Sequence, residues 1–236
     1  MNPFTSLSTP IDREEEMDAL TLPDARYARV LSHLARVNAV TLSHRPTLRF
    51  VGRLLKRQSP GQPLRLLDVG FGQGDMLRAI ARLAEKRGAT VELTGVDLNP
   101  RSEQAARAVT PATMPIRWIT GDYQALAGQR WGAVISSLVT HHMTPDQRRE
   151  FLIFMEREAA LGWFVNDLHR LRFPFMGFPL LAMLLGADPI VRRDGQLSIG
   201  RSFRASEWRA MLADAGIAGA QVQRWFPARL CVERIR

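Results

Sequence analysis

The stretch Leu64-Arg65-Leu66-Leu67-Asp68-Val69-Gly70-Phe71-Gly72-Gln73-Gly74-Asp75 is where residue types and spacing first point to chemistry. A short apolar run ends in a carboxylate, and glycines then occupy alternate positions from Gly70 to Gly74. Glycine lets backbone pass close to a ligand with no Cβ in the way, and it adopts φ > 0 where a strand hands over to a helix. Leu77, Ile80, Ala81 and Ala84 recur at helical spacing behind the glycines, and Gly88 stands where a left-handed C-terminal cap is expected. Strand, turn and helix start make the first half of a nucleotide-binding α/β unit, with unpaired helix N–H groups facing an electron-rich ligand. The dinucleotide fingerprint would need another glycine where Asp75 stands, and a phosphate loop would need Lys-Ser or Lys-Thr after the glycines. Both patterns fail.

Further strand-like runs end in polar residues of useful type. Thr90 to Val96 alternates and stops at Asp97, and Asn99-Pro100 opens the next helix. A carboxylate there offers the two acceptor oxygens that the hydroxyls of a ribose require, at the separation from Gly74 that a strand–helix–strand unit imposes. Pro115 to Thr120 leads into Gly121-Asp122-Tyr123. Gly132 to Ser137 runs into Leu138-Val139-Thr140-His141-His142-Met143, after which Thr144, Pro145 and Gln147 start a helix with a capping box. Leu161 to Val165 ends in Asn166-Asp167-Leu168-His169-Arg170. Ligands of open parallel sheets bind beyond the carboxyl ends of the strands, so His141, His142, Asp167 and His169 are the catalytic candidates. A histidine of near-neutral pKa could take a proton from a hydroxyl. The same histidines could equally pack and bond backbone, and Asp167 and His169 could simply fix the loop that follows.

Taken together, Asp-x-Gly-x-Gly-x-Gly, the strand ending at Asp97, Gly121-Asp122 with an aromatic next to it, and Ser-Leu-Val-x-His-His-Met resemble the motifs of class I S-adenosylmethionine-dependent methyltransferases. The likeness is to the small-molecule type found in ubiquinone and menaquinone biosynthesis, over roughly residues 60 to 236. It implies an α/β fold: a Rossmann-like, seven-stranded, mostly parallel sheet with helices on both faces, closed by an antiparallel C-terminal hairpin around Phe226-Pro227. It implies S-adenosylmethionine as cofactor and S-adenosylhomocysteine as product, held by Asp68, Gly70, Gly72, Gly74, Asp97, Leu98 and Ser137. Asp122 would then accept from the adenine amine, with Tyr123 or a neighbour packed on the ring. Helices starting at Asp24 and at Pro46 resemble the lid of such enzymes, giving an N-terminal segment and lid over residues 1–60 and a methyltransferase domain over 61–236. Asn38, His44 and Arg45, between those helices, either reach the cofactor carboxylate or the substrate, or form a solvated loop. Residues 1 to about 22 are expected to be loosely ordered or laid along the surface, and Arg192 to Gln196 to form a turn or mobile loop.

Other methyl acceptors are disfavoured. Enzymes that methylate exocyclic amines carry Asn/Asp-Pro-Pro-aromatic after the fourth strand, and this chain has no Pro-Pro. Pyrimidine C5 methylation needs a cysteine nucleophile there, and Cys231 lies in the last strand instead. The apolar run from Phe173 to Leu185 implies a flat or greasy acceptor, unless it is plain core or a surface resting on a membrane. The expectation is O-methylation of a small phenolic, polyketide-like or quinone-like metabolite, with N- or C-methylation of a small molecule or lipid headgroup as the competitor. A nicotinamide-dependent oxidoreductase and a non-catalytic binding module are the readings from other classes.

Composition bounds the rest. The 236 residues suffice for a substantial core, and the net charge of +9 comes from arginines scattered along the chain beside only Lys56 and Lys86. Such scatter does not make a nucleic-acid face. A lone cysteine excludes an internal disulfide and a cysteine-built metal site, and no His/Cys/Asp spacing suggests a metal. The start Met1-Asn2-Pro3-Phe4 and the acidic Glu14 to Glu16 are not expected to act as a secretory leader, and no apolar run is long enough to span a bilayer. A cytoplasmic monomer or homodimer follows, with peripheral membrane contact as its one link to lipid.

Overall fold

The computed structural model describes residues 7–19, 21–58 and 61–236. The reading of Met1 to Phe4 as no leader, and residue 60 at the expected domain boundary, lie outside the described residues. Seven strands, β1 (Leu64–Val69), β2 (Val91–Asp97), β3 (Ile116–Thr120), β4 (Trp131–Ser137), β5 (Ala159–Leu168), β6 (Gln221–Trp225) and β7 (Arg229–Ile235), form one sheet in the order β3-β2-β1-β4-β5-β7-β6. The first five run parallel. β7 enters antiparallel to β5, and β6 pairs antiparallel with β7 at the edge. This is the doubly wound topology that the motifs imply, with the C-terminal hairpin in place.

Period-2 alternation assigns the two faces of the sheet. Leu67, Val69, Val134, Trp163 and Val232 point to one side, against α5 (Pro145–Glu158) and α8 (Ala205–Asp214), through Phe151, Met155 and Trp208. Leu64, Leu66, Ala133, Ile135 and Phe164 point to the other, against α2 (Arg45–Arg57), α3 (Asp75–Lys86) and α4 (Pro100–Val109), through Phe50, Leu77, Ile80 and Ala106. Helix starts follow local chemistry: Asn99 caps α4 with Pro100 behind it, and Thr144 and Gln147 make the capping box of α5. The strand order reverses between β1 and β4, which opens a crevice at their carboxyl ends.

Three further helices lie over that crevice: α1 (Asp24–Val40), α6 (Arg172–Leu184) and α7 (Pro189–Arg201). Tyr27 Oη meets Ser102 Oγ at 3.0 Å and ties α1 to α4, a buried contact whose net worth is about 1 kcal/mol. Two expectations are corrected here. Arg192 to Gln196 is helical, because Ile190, Val191, Leu197 and Ile199 are buried along α7 and Asp188 caps its start. Gly195 in α7 leaves room for the Phe178 ring of α6, which a Cβ would meet at 2.2 Å. Of the segment expected to be loosely ordered or laid along the surface, residues 1–6 and 20 lie outside the described residues, and the part around Glu15 is instead buried and tied down: Asp194 accepts from the N–H groups of Glu16 and Met17 at 3.1 and 2.8 Å, and Ser198 Oγ donates to Glu15 at 2.6 Å.

The glycine turn supplies a direct stability test. Gly74 has φ 72°, and a Cβ on it would stand 2.2 Å from the Trp118 ring, which packs against Phe71 with centroids 4.8 Å apart. Gly74→Ala is expected to cost about 1–3 kcal/mol from backbone strain and overpacking. Urea unfolding would read this, and an unchanged midpoint would contradict the packing described.

Candidate active site

A cavity of about 720 Å³ occupies the crevice, lined by the carboxyl ends of β1, β2, β4 and β5 and roofed by α1, α6 and α7. Its first half belongs to the glycine turn. Asp97 Oδ2 accepts from Gly72 N–H and Oδ1 from Asn99 N–H, both at 2.9 Å, which fixes the carboxylate at the cavity wall. Gly70, Gly72, Leu98, Tyr123 and Ser137 also line this half. Asp68 is buried, and its Oδ1 makes no hydrogen bond. Burial, followed by the neighbouring carboxylates of Asp75 and Asp97, pushes its carboxyl well above the usual range.

The second half is built on loop and strand ends around one buried carboxylate. Asp167 Oδ1 is 2.7 Å from His141 Nδ1 and 2.7 Å from the Leu168 N–H, while Oδ2 accepts from the His141 N–H at 3.2 Å and from Thr140 Oγ1. Burial would raise the Asp167 carboxyl, but the charge and hydrogen bond of His141, then Thr140, bring it down to about 2. Burial would lower His141, yet Asp167 and then Glu15 raise it to about 9. His141 has a side chain 1% exposed, against 29% for His142, and the two rings lie 4.3 Å apart between centroids. Leu138, at φ 62°, bends the chain at the end of β4 and donates its N–H to Asn166 O, a strained conformation of the kind that clusters at functional sites.

The structure does not gather every predicted residue. Asp122 is exposed, accepts from the Gln124 N–H at 2.9 Å as a helix cap and does not line the cavity; its neighbours Gly121 and Tyr123 do. So Asp68 and Asp97 converge without it. Gly74 caps α3 behind the turn and Arg45 is exposed, neither lining the cavity, while His44 reaches the cavity and bonds Asp75 at 2.8 Å. His169 is buried outside the lining, bridged to Phe203, and burial followed by Arg224, Arg204 and Arg170 lowers its pKa. That surrounding suits a structural neutral imidazole. Asp167 stands behind His141 and not at the cavity wall.

Two residues that the sequence did not single out, Glu15 and Arg229, join the expected Asn38 and the expected apolar run in the lining. Glu15 enters from the N-terminal segment, Arg229 from the start of β7, and Asn38 from α1, where its Oδ1 accepts from Arg229 Nη2 at 3.3 Å. Phe173, Pro174, Phe178 and Leu181 supply an apolar wall on α6. No spacing rule could find Glu15 or Arg229, since each meets the site only through tertiary packing.

Comparison with known proteins fits this geometry. Residues 66–160 match the methyltransferase domain family. A ubiquinone biosynthesis O-methyltransferase of Methylobacterium nodulans is 33% identical over 138 residues, covering 56% of this chain and 52% of the relative. The chain thus spans about half the length of that curated relative. Among solved structures, the plantazolicin methyltransferase, bound to a substrate analogue and S-adenosylhomocysteine, superimposes with a TM-score of 0.64 at 13% identity, over 87% of this chain and 89% of that one. A carbon methyltransferase, CurJ, gives 0.58 at 14% identity, over 82% and 54%. Residues 66–160 are a methyltransferase domain, on the fold of the S-adenosylmethionine-dependent methyltransferases. The glycine turn, Asp68, Asp97 and the two histidines of this domain all fall inside the matched span.

Asp68 gives the domain a measurable pH dependence. Its carboxyl keeps a proton in the fold that the unfolded chain releases above the ordinary carboxylate range of about 4. The unfolded state then binds fewer protons, so this group lowers stability as pH rises toward its folded pKa. Asp68→Asn, which cannot ionise, is expected to gain stability relative to the natural chain from pH 4 to pH 8, read by denaturant unfolding. A constant difference across that range would show that Asp68 is ionised in the fold.

Proposed function

We propose that this chain methylates a small, largely apolar acceptor at an oxygen atom, with S-adenosylmethionine as donor. The observation that carries the reading is one continuous cavity with a fixed carboxylate, Asp97, at one end, the His141–His142 pair at the other, and an apolar wall between α6 and the sheet. The cofactor half suits a sulfonium nucleoside in two respects. Asp97 presents a carboxylate held in place by the Gly72 and Asn99 N–H groups, two oxygens of the kind that vicinal hydroxyls require, and the buried Asp68 oxygen without a partner lies in a carboxylate-rich end that a cationic ligand would satisfy. When bound, S-adenosylmethionine supplies an already activated methyl group.

The chain then has three tasks. The glycine turn and Asp97 orient the nucleoside, the wall of Phe173, Phe178 and Leu181 aligns the acceptor and excludes water, and the histidine-centred group receives the acceptor's hydroxyl. Asp167 fixes the His141 ring from behind and is a positioning residue. We take residues 1–60 as an N-terminal segment and lid beside a domain of residues 61–236, with α1 over the cavity and α2 packed on the sheet. Phe173, Met176, Leu180, Met183 and Leu184 leave an exposed apolar stripe on α6, which suits an acceptor delivered from an apolar environment. Among the described residues no helix is long and apolar enough to cross a membrane, and we place the enzyme in the cytoplasm, as a monomer or homodimer without a nucleic-acid partner. The oxygen acceptor is favoured by the histidines and by the likeness to an O-methyltransferase; a carbon acceptor is the second reading, favoured by the likeness to CurJ.

Calorimetry with S-adenosylhomocysteine is the first test, followed by a labelled-methyl assay over phenols, quinols, amines and activated carbon acids. Binding is expected to fall at least tenfold in Asp97→Ala with the fold intact by circular dichroism. Methylated oxygen in the product supports the reading, whereas transfer only to carbon or to RNA overturns the choice of acceptor.

A further inference from the structure

We infer that Glu15, His141 and His142 form a binding site for a first-row divalent transition-metal ion, zinc being the reference case, at which the acceptor oxygen completes the coordination. This deepens the reading of the cavity given above and rests on it for the acceptor alone. The ligating atoms of the three residues lie within 4.8 Å of one another. Glu15 Oε1 is 3.6 Å from His141 Nε2 and 3.7 Å from His142 Nε2, too far for hydrogen bonds. Those separations are close to those of ligands sharing one ion: with metal–N and metal–O bonds of about 2.0–2.2 Å, neighbouring ligands stand about 3–3.5 Å apart.

His141 Nε2 makes no hydrogen bond although the ring is buried and a carboxylate faces it. A buried polar atom left in that state is costly, and an ion between the ring and Glu15 satisfies both. The surroundings are those of a built site. Asp167 accepts from His141 Nδ1 at 2.7 Å, which sets the tautomer and turns Nε2 outward as a ligand. Ser198 Oγ donates to Glu15 Oε1 at 2.6 Å and holds the carboxylate in place. Asp167 is itself held by Thr140 and the His141 N–H.

Two imidazoles and one carboxylate are the donor set of catalytic zinc and of non-haem iron centres, which keep positions open for substrate. All three residues line the cavity, so the open positions face the acceptor half. An acceptor hydroxyl bound there loses its proton to water more readily, because the ion stabilises the oxyanion. The sequence shows only the adjacent histidines; the third ligand arrives on the N-terminal segment, so no motif spacing reveals the set.

The full chain, stripped with a chelator and dialysed, is titrated with zinc by calorimetry and with cobalt(II) by visible absorption. The expected result is one ion per chain, with cobalt d–d bands, and an affinity at least tenfold weaker in both Glu15→Gln and His142→Ala. No bound zinc and no d–d bands at about 100 µM metal, well above the dissociation constants of built zinc sites, would overturn the proposal. So would equal affinities in the natural chain and both variants. S-adenosylhomocysteine binding to the metal-free natural chain is measured alongside: if it persists while no metal binds, the metal site fails and the methyltransferase reading stands; if it is lost, the cofactor reading fails.

Discussion

A carboxylate sealed from water must be compensated where it stands, and Asp167 at the end of β5 imposes that demand on everything near it. Its side chain is fully buried, and its oxygens take bonds from Thr140, His141 and the Leu168 backbone. Leaving such a charge without partners would cost several kcal/mol, so the loop after β4 has to fold back over β5. That is why Leu138 accepts a left-handed backbone and why the His141 ring has one orientation. The energy that satisfies Asp167 thereby fixes the wall of the acceptor half.

The same demand propagates outward. The ring that Asp167 orients faces a second carboxylate, Glu15, which arrives from the opposite end of the chain and stands 3.6 Å from His141 Nε2. Glu15 stays there because α7 captures its neighbours: Asp194 takes the backbone N–H groups of Glu16 and Met17, and Arg193 reaches Glu16 at 2.6 Å. The residues ahead of α1 are therefore part of the cavity and not an appendage to it. α7 in turn is seated by the α6 contact at Gly195, so an apolar layer with no direct chemistry decides whether the polar cluster closes.

How much of this could be read in the sequence depended on the range over which each residue's partners lie. Asp97 was legible because its role is set by its own strand end and a glycine turn one unit earlier, and the structure places its carboxylate on the Gly72 N–H. The sheet was legible for the same reason, since strand runs, caps and turns are local. α7 was not: Arg192-Arg193-Asp194-Gly195 looks solvated by composition, and only the burial of Ile190, Val191, Leu197 and Ile199 against other elements makes it a helix. Asp122 and His169 fit a motif position or a strand end, but the Asp122 side chain turns to a local cap and His169 is buried near Arg224, Arg204 and Arg170, a choice that rotamers and packing make beyond the reach of spacing. Glu15 and Arg229 carried no local signal at all.

The distribution of charge across the cavity has a consequence for turnover under the proposed reading. The chain is strongly basic, +9 overall, yet the cofactor end sets the carboxylates of Asp75 and Asp97 beside the protonated Asp68. Field from carboxylates in a partly desolvated crevice acts more strongly on a bound cation than the scattered, solvent-screened arginines do. A ligand entering as a sulfonium and leaving as a neutral thioether loses one positive charge there. The carboxylate-rich end therefore holds the donor more firmly than the spent cofactor, and transfer itself weakens the grip on the product.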